Sequence, residues 1–270
     1  MMQALRRRIK VYGAFAAMAP KDYFAYTAWV WVEFIAQFLT MTIFVHFWRA
    51  VYANTSTLNG LNLPQTLNYI MLAQVLAPLV QTRTIFQFGF LIQNGQMAIE
   101  LLRPVDFQAR VLVDTLGWLG MYALLKTPLL LIAVILFGLQ LPTSPAVWLA
   151  FGILLVLGRA VVFYFDWIFA CLAFYTTETW GLSVVRVGVA TFFSGILIPI
   201  AMMPGWLQQL AGAMPFAQAI YVPTSLLSGI ASLADAPRVL LIQLGWLIAL
   251  AILSRAVFNV AIRKVTVQGG

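Results

Sequence analysis

The sequence predicts an all-α polytopic membrane protein of about six transmembrane helices. The chain is 63% hydrophobic and 9% charged, with a mean hydropathy of +0.93, whereas soluble domains carry about 25% charged residues. Its apolar runs are continuous over about 20 residues instead of alternating, which fits membrane helices and excludes a β-barrel. Most charges stand at the ends of those runs. The net charge of +8 therefore reads as a topology signal and not as a nucleic-acid surface.

Residues 1–22 form a basic leader whose Ile9, Tyr12, Phe15 and Ala16 recur at helical spacing, an interfacial helix by pattern. Span one covers 23–49, and a polar loop over 52–65 contains Asn59 and Gly60. Span two covers 66–88. A polar stretch, 94–110, precedes span three at 111–137. Gly138 and Pro142 make the turn into span four at 146–175, and a short link leads to span five at 181–200. From Val187 to Ala234 no residue is charged, and Pro199, Pro204, Pro215 and Pro223 interrupt the run. That pattern predicts a re-entrant hairpin over 203–234, with one helix at 206–214 and a second starting at Pro223. Span six covers 238–262, closed by Arg263 and Lys264. The whole of 1–270 reads as a single transmembrane domain.

An even span count puts both termini on one side. Arg6, Arg7, Arg8, Lys10, Lys21, Arg83, Arg103, Arg110, Arg186, Arg263 and Lys264 fall on that side, while the opposite loops hold Arg49, Arg238 and Asp235. The bias predicts cytoplasmic termini.

The stretch NGQMAIELLRPVDFQAR, residues 94–110, is the clearest amphipathic patch. Gln96, Glu100 and Arg103 share one helical face; Met97 and Leu101, with Ala98 and Leu102, make the other. Glu100 and Arg103 are spaced to pair. Asn94 and Gly95 can open the helix, Pro104 ends it, and Asp106 caps the next one. The pattern predicts a cytosolic handle over 94–104, or else a surface helix resting on headgroups.

No phosphate-binding glycine loop occurs, so the chain does not bind ATP in that way. His46 is the only histidine and Cys171 the only cysteine, which excludes multi-histidine and cysteine-rich metal sites. We predict no catalytic, cofactor-binding or metal residues. Glu33, Asp114, Lys126, Arg159 and Asp166 lie inside spans, where charges mark a pathway or an interhelical pair. Arg159 and Asp166 are seven apart, so they point the same way and can share a partner. The run Phe163–Trp167 either lines a cavity or fills the bilayer.

The handle GQMAIELLRPVDFQAR, the span count and the outer run MPFAQAIYVPTSLLSG together resemble the permease subunits of type-2 ABC exporters. The similarity is greatest to a bacterial branch with a G-x-hydrophobic-[DE]-x-x-L-L-R-P motif. Gly95, Met97, Leu101, Leu102, Arg103, Pro104 and Val105 fit that motif, while Ala98 stands at its acidic position and Glu100 lies two residues later. Pro215, Phe216, Tyr221 and Pro223 resemble the second motif of that branch. The resemblance implies a non-catalytic exporter subunit. Its partners would be a second permease, related more than identical, and two ATPase subunits that hold ATP and Mg. Gly95, Gln96, Glu100, Leu101, Leu102, Arg103 and Pro104 would then form the coupling helix. Pro204, Pro215, Phe216, Tyr221 and Pro223 would form the outer gate. Two alternatives stand beside it: an ion-gradient carrier or channel using Glu33, Asp114 and Asp166, and an intramembrane lipid enzyme, for which no residue cluster speaks.

Overall fold

The computed structural model describes residues 27–176 and 179–264. The leader expected over 1–22 lies outside the described residues. Helix α1 (Thr27–Val51) is followed by a two-residue hairpin, β1 (Thr57–Leu58) with β2 (Leu61–Asn62). Its turn is Asn59–Gly60, both at positive φ (47° and 82°), the dipeptide that suits such a turn. Asn62 then caps α2 (Leu63–Val80) in a reciprocal capping box with Gln65.

Span two is broken. Residues 81–83 leave the helix before α3 (Thr84–Gln93) resumes, where the sequence predicts one continuous segment. Pro78 opens the ladder a turn earlier, because it has no N–H to offer the carbonyl of Gln74. Gln37 Nε2 of α1 donates to that carbonyl instead, at 2.6 Å.

Next come α4 (Gln96–Leu101), α5 (Phe107–Phe137) and α6 (Pro145–Ala170), the last prolonged by a 3-10 turn over Cys171–Phe174. Helix α6 is the axis of the molecule, packed against α2, α3, α5 and three later helices. Near the α4 end its Trp167, fully buried, meets Phe88 at 4.7 Å, Phe258 at 5.1 Å and Phe107 at 5.4 Å between ring centroids. Phe163 is buried in the same cluster. Within 163–167, then, Phe163 and Trp167 pack protein against protein.

The fifth passage differs from expectation. Helix α7 (Thr179–Phe193) has 15 residues, about 22 Å at 1.5 Å per residue, too short for a core of about 30 Å. It stops at Gly195, whose φ is +82°. The chain then continues as irregular backbone to a 3-10 turn at Ile200–Met202. Asn59 Nδ2 of the hairpin donates to Met202 O at 2.8 Å, so this backbone reaches the hairpin end of the molecule. Irregular backbone at such depth needs partners from the protein. Tyr69 OH donates to Gly195 O at 2.9 Å, and Gln74 Nε2 to Ile196 O at 3.5 Å.

Three short helices follow: α8 (Gly205–Gly212), α9 (Pro215–Ala219) and α10 (Tyr221–Leu227). The second helical segment thus begins at Pro215, not at Pro223, because Pro215 already supplies a first-turn proline. The segments on either side of Met214 are bent by 72°. Gly158 lets α9 lie directly on α6: a Cβ there would fall 2.8 Å from Ala219 Cα. Helix α11 (Ala236–Ala261) closes the bundle. Its buried Gln243 donates to Leu154 O at 3.1 Å and to Gln218 O at 2.6 Å, covering the junction of α9 and α10.

By length and composition, five helices among the described residues can cross a membrane, or six if the bent pair is one span. The molecule is an all-α polytopic membrane protein.

Candidate functional site: a braced surface helix and a charged cavity

Two features group the sequence-predicted residues. The first is α4. Gly95 starts it in the left-handed conformation, φ +66°, which only glycine adopts at little cost. Met97 points inward and is 2% exposed, joining the aromatic cluster around Trp167. Glu100 also turns inward. It pairs with Arg103 at 2.9 Å and closely with Arg110 of α5, and its side chain is only 15% exposed. This corrects the expected polar face: Glu100 braces the helix and does not stand on its outer surface. The outer surface carries two large apolar side chains, Ile99 61% and Leu102 84% exposed, beside exposed Gln96 and half-exposed Arg103. The sequence pattern misplaces Leu102 because the helix ends at Leu101, so Leu102 leaves the buried face.

Asp106 completes the mount. Its carboxylate accepts from Ala109 N at 2.8 Å, capping α5 as the sequence predicts, and meets Arg255 of α11 at 2.5 Å. Partial burial would push this carboxyl up, but the Arg255 and Ala109 hydrogen bonds hold it below its ordinary value. Pro104 is exposed in the bend between α4 and α5. Arg103 is half-exposed at the tip.

The second feature lies at the break in span two. Arg159, 2% exposed, donates from Nε to Thr115 O at 2.7 Å and from its terminal nitrogen to Leu79 O and, at 3.3 Å, to Gln81 O. It serves as a side-chain cap for carbonyls that the broken helix leaves open. Asp166, 1% exposed, accepts from Thr82 Oγ1 in the break and from Arg186 Nε of α7 at 2.5 Å. Arg186, counted with the cytoplasmic-side charges as the one that follows the short link, is thus a buried partner within the bundle. Its neutral-looking surroundings in the sequence hide this, since the matching carboxylate is 20 residues away. Lys126 Nζ pairs with Glu33 Oε1 of α1 at 2.9 Å.

Beside the break is a cavity of about 530 Å³. Glu33, Asp114, Arg159 and Arg186 line it together with Arg83, which the sequence counts only among the cytoplasmic-side charges near the end of span two. Trp29, Phe86, Trp118 and Tyr122 complete its wall. Lys126 and Asp166 stand behind that wall, on Glu33 and Arg186.

The outer residues are not gathered into one site. Phe216 and Pro215 are buried, Phe216 against Phe165 at 4.7 Å between centroids. Tyr221 packs on Tyr69 at 5.8 Å, Pro223 is buried in the first turn of α10, and Pro204 is exposed before α8. Among the described residues no cluster of His, Cys, Asp and Glu could hold a metal ion.

No curated protein and no solved structure matches the chain. A sequence model of a whole family, described as ABC-2 family transporter protein, matches residues 37–269. That match runs from the middle of α1 through the rest of the described chain, takes in the braced helix and every cavity-lining residue except Trp29 and Glu33, and the chain belongs to the ABC-2 family of membrane transporters.

Proposed function

We propose that the chain is the membrane subunit of an ATP-driven exporter, with α4 as the helix through which an ATPase moves it. A second permease, related more than identical, would complete the pathway, and ATP and Mg would sit on two separate ATPase subunits. The supporting observation is the mount of α4. Ile99 and Leu102 are strongly exposed on a helix that Met97, Glu100 and Asp106 fasten to α5, α6 and α11. A pair of exposed apolar side chains on a rigid base suits a small protein contact whose displacement must be passed on as a lever. Gly95, Gln96, Leu101, Arg103 and Pro104 frame that contact. On this reading the termini and α4 are cytoplasmic, and 203–234 gates the outer exit.

An ion-gradient carrier would need its carboxylates available to ions. Glu33 and Asp166 are instead held by Lys126 and Arg186, which favours the exporter.

The test is cross-linking. In a Cys171→Ser background, Leu102→Cys should form a short-span cross-link to a co-purifying ABC ATPase, in inverted vesicles. Leu131→Cys, on an exposed face of α5, should not. Equal cross-linking at both positions, or at neither, would reject α4 as the contact.

A further inference from the structure

We propose that the cavity beside the break in span two is a binding site for an organic monoanion with an apolar, ring-bearing body. This rests on the transporter reading and adds to it the chemistry of the guest.

Its charges point there first. Arg83, Arg159 and Arg186 line the cavity against Glu33 and Asp114. The pairs behind the wall, Lys126 on Glu33 and Asp166 on Arg186, extend the group to four cations against three carboxylates. One positive charge is left over within the bundle. A cavity lined by one excess cation attracts an anion, and a guest with one negative charge meets it.

The geometry then selects the residue. Arg186 is committed to Asp166, and Arg159 to the carbonyls of Thr115, Leu79 and Gln81. Arg83 is different. It stands in the break itself, exposed to the cavity space, and forms no ion pair among the described residues. The first turn of α3 starts at the same place with no side-chain cap, so its N–H groups add to the positive field there.

The rest of the wall sets the body of the guest. Trp118 and Tyr122 lie 5.7 Å apart between centroids on one face of α5, and Trp29 and Phe86 add rings from α1 and α3. A volume of about 530 Å³ is that of a small-molecule pocket and holds a fused-ring guest. A guest with this chemistry can be a free anion from the cytosol or the head of an anionic lipid.

Equilibrium dialysis of radiolabelled 2-naphthalenesulfonate against the full-length protein in phosphatidylcholine nanodiscs tests the site. The uncharged 2-naphthalenesulfonamide serves as the control ligand. The wild type should bind the sulfonate saturably, at least about tenfold more tightly than the sulfonamide. Arg83→Gln should weaken the sulfonate by about tenfold and leave the sulfonamide unchanged. Arg49→Gln, a cation at the other end of the bundle, should change neither. Trp118→Ala should weaken both ligands. Replacing part of the lipid by phosphatidylglycerol separates the sources: displacement of the sulfonate means entry from the bilayer, and no displacement means entry from water. Either result supports the site, provided that Arg83→Gln abolishes the difference. Absence of saturable sulfonate binding, or equal loss in Arg83→Gln and Arg49→Gln, would overturn the proposal. No ATPase takes part, so this outcome is separate from that of the cross-linking at Leu102.

Discussion

The guanidinium of Arg159 and the carboxylate of Asp166 do not touch each other, yet they grip the same break in span two from two turns apart on α6. Arg159 takes carbonyls on the near side, at Leu79 and Gln81, while Asp166 takes the hydroxyl of Thr82 and the guanidinium of Arg186. A helix interrupted within the membrane needs donors and acceptors from its neighbours. Here one helix supplies both kinds, and its acidic member also ties α7 to the break.

The Asp166–Arg186 pair gives the first prediction. Asp166→Asn leaves a buried guanidinium without its countercharge and should destabilise the subunit by about 3–5 kcal/mol. Assembled protein and the melting midpoint in detergent should both fall. Asp166→Asn together with Arg186→Met should recover much of the loss. A double variant as unstable as the sum of the single ones would show that the two charges act independently.

Arg159 gives the second. Arg159→Met keeps the bulk of the side chain and removes its donors to three carbonyls. Each buried carbonyl left unpaired costs about 1–3 kcal/mol. Hydrogen exchange should rise over 77–86 and stay unchanged over 246–256, a stretch of α11 that Arg159 does not bond. Unchanged exchange at the break would show that other groups hold it.

Orientation gives the third. In a Cys171→Ser background, Ser56→Cys beside the hairpin should react with an impermeant maleimide on intact cells. Leu102→Cys should react only after permeabilisation, since the basic residues Arg103, Arg110, Arg255, Arg263 and Lys264 gather at its end of the bundle. The reverse pattern would invert the topology.

The long elements were legible in the sequence because their signals are local. Pro104 ends α4 within three residues of the bend, Asp106 caps α5 as its position predicts, and α6 and α11 fall within a few residues of the expected bounds. The break in span two was not legible. Nothing in Gln81–Thr82–Arg83 forbids a helix; the break is held by Arg159, Asp166 and Gln37, which lie 37 to 84 residues from the groups they bond. The shortened α7 has the same cause, since Tyr69 and Gln74 supply the partners that let the backbone turn irregular. Helical periodicity also put Glu100 on the outer face of α4, and only the approach of Arg110 turns it inward. Charges inside the spans were visible as charges; their partners were not, because pairing is a tertiary fact.

The most direct test of the account is ATP hydrolysis by the reconstituted transporter, measured with co-purified ATPase quantified alongside. Leu102→Asp and Ile99→Asp place charge on the exposed face of α4 and leave Glu100, Asp106 and their partners intact. Such changes should remove about 1–3 kcal/mol of coupling, a loss of roughly 5- to 150-fold in stimulation, with insertion and subunit yield unchanged. Glu100→Gln should act differently, loosening the mount and lowering both coupling and the melting midpoint. Wild-type stimulation in Leu102→Asp and Ile99→Asp, with normal ATPase co-purification, would contradict the assignment of α4 as the coupling helix.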